Sequence, residues 1–214
     1  MNDIITTQRE MLKNRLHEAT QPYKELMTCY KCAMMEVETK FRVLDEELSL
    51  DYDRNPIESI KTRLKSHESI MDKLYLRNIL PTAENIEREL HDIAGVRVIC
   101  TFPSDIYTLA NAFLSQDDVK LLEKKDYIEK PKSNGYRSLH LIVEVPIFLH
   151  DEKRFMKVEV QLRTMSMDWW ASQEHKIKYK KDVELSPETE RELFQCAEIA
   201  AALDLKMENI AKNI

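Results

Sequence analysis

Hydrophobic positions recur with helical spacing at both ends of the chain and with alternating spacing in its middle. Residues 4–50 follow the helical pattern, and we predict a break at Thr20-Gln21-Pro22, because proline suits the first turn of a new helix. Residues 187–214 are predicted to form a long amphipathic helix. The apolar stripes of these terminal helices indicate either contacts with other subunits or packing on the chain's own sheet, and the pattern does not separate the two.

The sequence predicts three short helices before the first buried strand. The pair Asn55-Pro56 reads as a cap followed by a first-turn proline, so it predicts a short helix ahead of the basic segment KTRLK. A second helix is expected over residues 66–77, and a third begins at Pro81-Thr82. The segment HDIAGVRVICTF then alternates and is rich in β-branched residues, which is typical of a buried strand.

The second half of the chain alternates between the two periods. We predict a helix near residues 104–113, a strand near 119–123 and a polar loop, KDYIEKPKSNGYR. The segments SLHLIVEVPIF and RFMKVEVQLRT predict a hairpin, and MSMDWWASQEHKIKYK returns to helical spacing. The fold class is therefore α/β or mixed α+β, with a mixed sheet of about five strands and flanking helices. The expected divisions are N-terminal helices over 1–54, a core over 55–181 and a C-terminal helix over 182–214.

Composition narrows the classes of function. The chain of 214 residues has two glycines, Gly95 and Gly135, which excludes Gly-rich phosphate loops, so side chains must bind any phosphate. A net charge of −6 argues against a protein that mainly coats nucleic acid. The N-terminus lacks a signal-peptide pattern and no apolar run approaches membrane-spanning length, so we expect a cytoplasmic protein. Cys29 and Cys32 form a C-x-x-C within a helical pattern, where idle thiols are favoured over a redox or zinc site.

The alternation of the strands predicts a polar, cationic face on the sheet. Side chains of a strand point alternately to its two faces, so Glu159, Gln161 and Arg163 share one face. The same count places His140 with Glu144 on the polar side of the partner strand. If the strands form one sheet, their polar faces combine into a concave surface that carries Arg63, Lys65, Arg97, His140, Glu159 and Gln161.

This combination of residues suits phosphoryl or pyrophosphoryl transfer. Such reactions need cations around the phosphates, a divalent metal held by carboxylates, and a base for the attacking hydroxyl. Asp92 and Glu159 lie on separate predicted strands and could share one Mg²⁺. The alternative is that Asp92 caps a turn and Glu159 pairs with a basic side chain.

Two further groups fit the same chemistry. Ser69 and Lys73 are four residues apart, so both could reach phosphates from one helical face, although a solvated surface helix gives the same spacing. The loop with lysines and two tyrosines could stack a purine base, or could be an ordinary hairpin loop. The basic run HKIKYKKD could bind phosphate or RNA. Such a run is more often the solvated end of a helix, so RNA binding is not favoured. The dipeptide His91-Asp92 lacks a second histidine set, so a phosphohydrolase site is rejected.

Four blocks in order resemble the synthetase domain of the RelA/SpoT family, and most closely its single-domain members, the small alarmone synthetases. They are NPIESIKTRLKSHESIMDKL, DIAGVRVIC, KDYIEKPKSNGYRSLHLIVEVP and VEVQLRTMSMDWWASQEHKIKYK. The resemblance implies a nucleotidyltransferase-like domain that moves pyrophosphate from ATP to the 3′-hydroxyl of GDP or GTP, without hydrolase activity, in a homotetramer. The competing hypothesis is a non-catalytic module that senses guanine nucleotides or binds RNA.

The resemblance also assigns roles to individual residues. It implies that Arg63 and Arg97 sandwich adenine, and that ATP phosphates contact Lys65, Ser69 and Lys73. It implies that Asp92 and Glu159 bind Mg²⁺ and that Glu159 is the base. The acceptor nucleotide is expected to contact Lys125, Lys132, Tyr136, His140, Gln161 and Asp168, with Tyr136 stacked on guanine.

The chain departs from relatives of the family in two respects. Leu76 replaces an expected basic residue and leaves Arg77 alone, so one phosphate contact is in question. Ser59 and Lys61 stand where one subgroup carries an aromatic and a hydroxyl residue for an alarmone activator. We therefore do not expect that form of activation.

Overall fold

The computed structural model describes residues 2–51, 54–179 and 185–213, with side chains described at 20–50, 54–178 and 185–213. The helices and strands follow in chain order: α1 Asn2–Asp51, β1 Ile57–Leu64, α2 His67–Leu76, α3 Ala83–Glu89, β2 Ala94–Cys100, α4 Pro103–Leu114, β3 Lys120–Asp126, β4 Leu139–Phe148, β5 Lys153–Thr164, α5 Met165–Tyr179 and α6 Pro187–Ala211.

The five strands form one mixed sheet in the order β1-β2-β5-β4-β3. β2 and β5 pair in parallel, and the other three ladders are antiparallel. β4 and β5 form the predicted hairpin, with Leu149 N–H donating to the Glu152 carbonyl in its turn. The predicted mixed α/β class and the number of strands are confirmed.

The sheet has one apolar and one polar face, as the alternation predicts. Strand residues on the apolar face are fully buried: Val98, Leu139, Leu141, Val143, Val158, Val160 and Leu162. Helix α1 covers this face with a buried stripe at Leu26, Tyr30, Ala33, Val37, Phe41 and Leu44, and α4 packs beside it, where Phe113 stacks on Phe41. Burial of such side chains stabilises the fold by roughly 1.5–3 kcal/mol each. The opposite face is left for polar chemistry.

The predicted break at Pro22 is wrong. Helix α1 runs from Asn2–Asp51 with Pro22 inside it. Pro22 is exposed, so the carbonyl that loses its helical partner can be hydrated, while the buried stripe that holds the helix begins beyond it at Leu26. Burial along that stripe outweighs the local cost of the proline.

The predicted helix after Asn55-Pro56 is also wrong, because β1 begins at Ile57. Residues Ser59 to Leu64 pair in register with β2, including Lys61 opposite Arg97 and Arg63 opposite Gly95. Pairing with β2, which is distant in sequence, determined that this segment is a strand. The local signal for a helix start was weaker than the pairing.

The two other predicted helix starts are confirmed. Ser66 caps α2 by accepting a hydrogen bond from the Ser69 N–H, and Thr82 caps α3 in the same way from Asn85.

All four cysteines are free, so Cys29 and Cys32 form no disulfide. Among the residues that the structure describes, no helix is long and apolar enough to cross a membrane.

Candidate active site

The register of the sheet aligns polar side chains across all five strands. Lys61 pairs with Arg97, Arg97 with Gln161, Gln161 with His140, and His140 with Lys125. Paired residues point to the same face, so these side chains form one row on the polar face. The sequence predicted this common face for Arg97, His140 and Gln161, and the structure brings the three together.

A second row forms the floor of a cavity. Arg63 pairs with Gly95, which pairs with Glu159. The cavity measures about 470 Å³ and is lined by Lys61, Thr62, Arg63, Lys65, Asp92, Gly95, Val96, Arg97, Glu159 and Gln161. Gly95 has no side chain, so the space between Arg63 and the Glu159 carboxylate remains open.

Two lysines hold Asp92 at the edge of this cavity. Lys65 Nζ and Lys73 Nζ each donate to Asp92 Oδ2 at 2.7 Å. Burial raises the pKa of Asp92, but the hydrogen bonds from both lysines outweigh it, so the pKa lies below its ordinary value. The second oxygen, Oδ1, is buried and has no hydrogen-bond partner in the described part of the chain. Asp92 therefore has one buried carboxylate oxygen without a hydrogen-bond partner in the described part of the chain.

Glu159 lies on the cavity floor and receives donors on both oxygens. Gln161 Nε2 donates to Oε2 at 2.9 Å, and His140 Nδ1 lies 3.4 Å from Oε1. Burial raises the pKa of Glu159, yet the contacts with His140 and Gln161 prevail and lower it overall, against a smaller opposing effect of Asp92. Glu159 is thus ionised at neutral pH although it is largely enclosed.

The helix beside the cavity presents the predicted polar residues. Ser69 accepts a hydrogen bond from the Ser66 hydroxyl at 2.9 Å, and Lys73 follows one turn later. At the end of α2, Leu76 is exposed and Arg77 donates to the Glu89 carbonyl. This bond directs Arg77 to the backbone of α3.

The polar loop brings an aromatic cluster to the other side of the row. Tyr136 lies with His140 and Tyr127, with ring centroids 5.8 and 5.9 Å from that of Tyr136. Lys132 Nζ lies 4.9 Å from the centre of the Tyr136 ring and 4.6 Å from that of Tyr127. Lys125 is half exposed and pairs with Glu123 at 2.9 Å.

Asp168 has an environment that the sequence did not indicate. Its Oδ1 accepts from Arg97 at 3.1 Å and from Arg163 at 3.3 Å, and its Oδ2 accepts from Lys61 at 3.1 Å. Burial raises the pKa of Asp168, but these three cations lower it below the usual range. Both oxygens already have partners, and a contact with a guanine edge stays a prediction.

Three residues of the site received no individual role from the sequence. Lys61 lines the cavity, Tyr127 completes the aromatic cluster, and Arg163 contacts Tyr136, Gln161 and Asp168. The alternation of β5 did place Arg163 on the polar face, which was the available signal. Its burial depends on contacts with α5 and with the polar loop. These are separate elements, which the alternation of a strand does not describe.

The carboxylates suit a magnesium ion better than a transition metal. No group of three His, Cys, Asp or Glu ligands occurs among the residues whose positions are described. Mg²⁺ commonly binds one or two carboxylates and completes its shell with water and substrate phosphates. The buried, unpartnered Oδ1 of Asp92 and the Glu159 carboxylate at the same cavity fit that pattern.

The chain is similar to known proteins along most of its length. Residues 62–184 match the family described as a region found in RelA / SpoT proteins. The chain belongs to the RelA/SpoT family. GTP pyrophosphokinase YwaC of Bacillus subtilis is 42% identical over 212 residues, covering 99% of both chains.

Solved structures of RelA/SpoT-family proteins show the same fold. The crystal structure of the small alarmone synthetase 2 from Bacillus subtilis has a TM-score of 0.82 and 44% identity, over 90% of this chain and 99% of that one. The small alarmone synthetase 1 from the same organism, bound to its product pppGpp, has a TM-score of 0.81 and 30% identity, over 91% and 98% of the two chains.

Proposed function

We propose that this protein transfers the β,γ-pyrophosphate of ATP to the 3′-hydroxyl of GDP or GTP, giving AMP and ppGpp or pppGpp. The observation that carries the proposal is that Asp92 and Glu159 line one cavity together with Arg63, Lys65 and Arg97. A cavity with two carboxylates and several cations can hold a phosphate chain and activate a hydroxyl. The relatives named as GTP pyrophosphokinases support the same reaction.

In the proposed step the acceptor's 3′-oxygen attacks the β-phosphorus of ATP. The bond from that phosphorus to the oxygen bridging the α- and β-phosphates breaks, and AMP leaves with that oxygen. The proton of the 3′-hydroxyl passes to Glu159, whose lowered pKa keeps it ionised and able to accept. Asp92 keeps Lys65 and Lys73 at the edge of the cavity, where their charges can meet the transferred phosphates.

Arg63 and Arg97 are proposed to bind the adenine of ATP. Arg63 pairs with Gly95, so Arg97 is its diagonal neighbour two residues along an antiparallel ladder. Such neighbours lie about 7–8 Å apart. A flat ring between two planar groups needs about 7 Å, twice the contact distance of about 3.5 Å. The ATP phosphates would then extend towards Lys65, Ser69 and Lys73.

The aromatic cluster is the proposed site of the acceptor nucleotide. Tyr136 offers a ring for the guanine base, and the exposed Lys132 can turn from that ring to the acceptor's phosphates, with Lys125 nearby. His140 and Gln161 lie between this cluster and Glu159. The two nucleotides would thus meet over Glu159.

We also propose that Asp92 and Glu159 hold Mg²⁺, and the supporting observation is that the buried Oδ1 of Asp92 has no hydrogen-bond partner among the described residues. When bound, the ion would neutralise negative charge on the transferred phosphates.

A cytoplasmic location is proposed because the four cysteines are free, as in reducing compartments.

We propose that the protein forms a homo-oligomer, specifically a tetramer, and that the surface of α6 contributes to the contacts between subunits. An apolar stripe on this helix is exposed and includes Ile199, Leu203, Met207 and Ile210. Light scattering of the wild type and of Leu203→Asp tests this proposal, which fails if the wild type is monomeric.

A product assay tests the proposed reaction. Purified protein with ATP, Mg²⁺ and either GDP or GTP is expected to release AMP and a 3′-pyrophosphorylated guanosine nucleotide in equal amounts. Omission of the acceptor is the control, since AMP should then not form. Intact protein that gives neither product with either acceptor would exclude the proposed function.

A further inference from the structure

A buried arginine connects the elements of the site that carry the acid and the acceptor cluster. Arg163 is 5% exposed, and each of its nitrogens has a partner. Nε donates to Ser138 Oγ at 3.4 Å, and NH1 donates to Asp168 Oδ1 at 3.3 Å. NH2 donates to the Tyr136 hydroxyl and to Gln161 Oε1 at 2.9 Å. Ser138 and Asp168 therefore anchor a guanidinium whose far end faces two site residues.

The donor character of arginine fixes the orientation of Gln161. A guanidinium has N–H donors and no acceptor, so the Gln161 atom that faces Arg163 must be the oxygen. The amide nitrogen then points the other way, where it donates to Glu159 Oε2 at 2.9 Å. If Arg163 were absent, only the contact with the Glu159 carboxylate would hold the amide in this orientation.

The Tyr136 hydroxyl extends the hydrogen bonds of Arg163 to His140. The Tyr136 oxygen accepts from Arg163, so its single proton is free to donate to His140 Nε2, which lies 2.8 Å away. Because Nε2 then accepts, the imidazole proton lies on Nδ1, which faces Glu159 Oε1 at 3.4 Å. Both oxygens of Glu159 thus receive donors whose directions trace back to Arg163.

We propose that Arg163 is a positioning residue that orients Gln161 and, through the Tyr136 hydroxyl, His140, so that both donate to Glu159. The inference rests on the proposed function for its effect on turnover, but the hydrogen-bond directions stand independently of it. Arg163 itself lies behind Tyr136 and Gln161 and does not line the cavity.

Two variants cut the connection in different ways. Arg163→Lys keeps the charge but loses the fork that reaches Tyr136 and Gln161 together. Tyr136→Phe keeps the aromatic ring and Arg163 and removes the hydroxyl link alone. Arg154→Lys is the matched control, since Arg154 lies on the same strand and pairs with Glu87 at 2.6 Å, away from the cavity lining.

Imidazole nitrogen NMR on the folded proteins without nucleotide tests the geometry directly. In the wild type and in Arg154→Lys, His140 is expected to carry its proton on Nδ1, and its signal is assigned by loss in His140→Gln. In Arg163→Lys and Tyr136→Phe this preference is expected to decrease. A wild-type His140 protonated on Nε2, or an unchanged preference in Arg163→Lys, overturns the proposal.

Kinetics tests the consequence for catalysis. Misplacement of a reacting group by about 1 Å costs on the order of 10²-fold in rate, so kcat of Arg163→Lys is expected to fall by about that factor with little change in the KM for ATP. The double variant with Tyr136→Phe should lose less than the product of the two single losses, because both cut one connection. A kcat loss no greater than that of Arg154→Lys overturns the inference. A wild type without product excludes the proposed reaction instead, and the NMR result still decides the role of Arg163.

Discussion

Gly95 on β2 lies directly opposite Glu159 on β5 in the parallel ladder at the centre of the sheet. Both point to the polar face, and Arg63 is the partner of Gly95 on its other side. The missing side chain at Gly95 is therefore the reason why the cavity floor is open beside the carboxylate. This relationship gives a test that separates folding from activity.

Gly95→Ala is expected to fold normally and lose activity. An added Cβ would lie 3.5 Å from the Arg63 carbonyl, which is ordinary contact, and restriction of the unfolded chain should stabilise the protein by about 0.4–1 kcal/mol. The methyl group would occupy the floor of the cavity and lower kcat/KM, and Gly95→Val should lower it further. Thermal unfolding and kinetics measure the two effects. A fully active Gly95→Val would show that substrates do not use this floor.

Glu159→Gln is expected to abolish turnover while ATP binding persists. The amide cannot accept the proton from the acceptor hydroxyl, and loss of a general base costs about 10²- to 10⁴-fold in kcat. Glu144→Gln is the control, because Glu144 lies on the polar side of neighbouring β4 and pairs with Lys120 rather than lining the cavity. Equilibrium binding of ATP should be similar in both variants. Equal kcat losses in the two would contradict the role of Glu159.

Gly135→Ala is expected to impair the acceptor loop. Gly135 has a φ of +88°, and an added Cβ would lie 2.6 Å from the Cβ of Ala197 on α6. The strain and the clash should lower the free energy of unfolding by more than about 1 kcal/mol and displace the neighbouring Tyr136. We expect the KM for the acceptor to rise more than the KM for ATP. Adding Ala197→Gly removes the clash but leaves the strain, so it should restore part of the stability, and no recovery would contradict this cause.

Asp204→Asn is expected to stabilise the protein more at neutral pH than at low pH. Asp204 is buried on α6, where Oδ2 accepts from Thr164 and Ser166. Burial raises the pKa of this carboxyl despite those bonds. The folded state therefore binds more protons than the unfolded state above the ordinary pKa, and stability falls as pH rises through that window. The variant removes this loss, since an amide oxygen can still accept. Denaturation at several pH values measures it, and a benefit independent of pH would be inconsistent with the proposed titration.

The local signals of the sequence were reliable where short-range physics decides. Ser66 and Thr82 were recognised as starts of helices because a side-chain cap acts within one turn. Alternation in β4 and β5 separated the buried residues from the polar ones because a strand has a period of two. The same signals failed at Ile57, where pairing with β2 gave a strand, and at Pro22, where the buried stripe of α1 carries the helix through.

The sequence by itself determined the mixed class, the polar face and the residues that could bind nucleotides and a metal. These follow from periodicity, residue chemistry and the four family blocks, all of which are readable along the chain. The tertiary structure decided which of these residues share a cavity, what Asp168 contacts and that Arg163 is buried behind Tyr136 and Gln161. Those facts depend on strand register and on contacts between distant segments. Hydrogen-bond direction and burial are properties of such neighbours, so a linear pattern does not contain them.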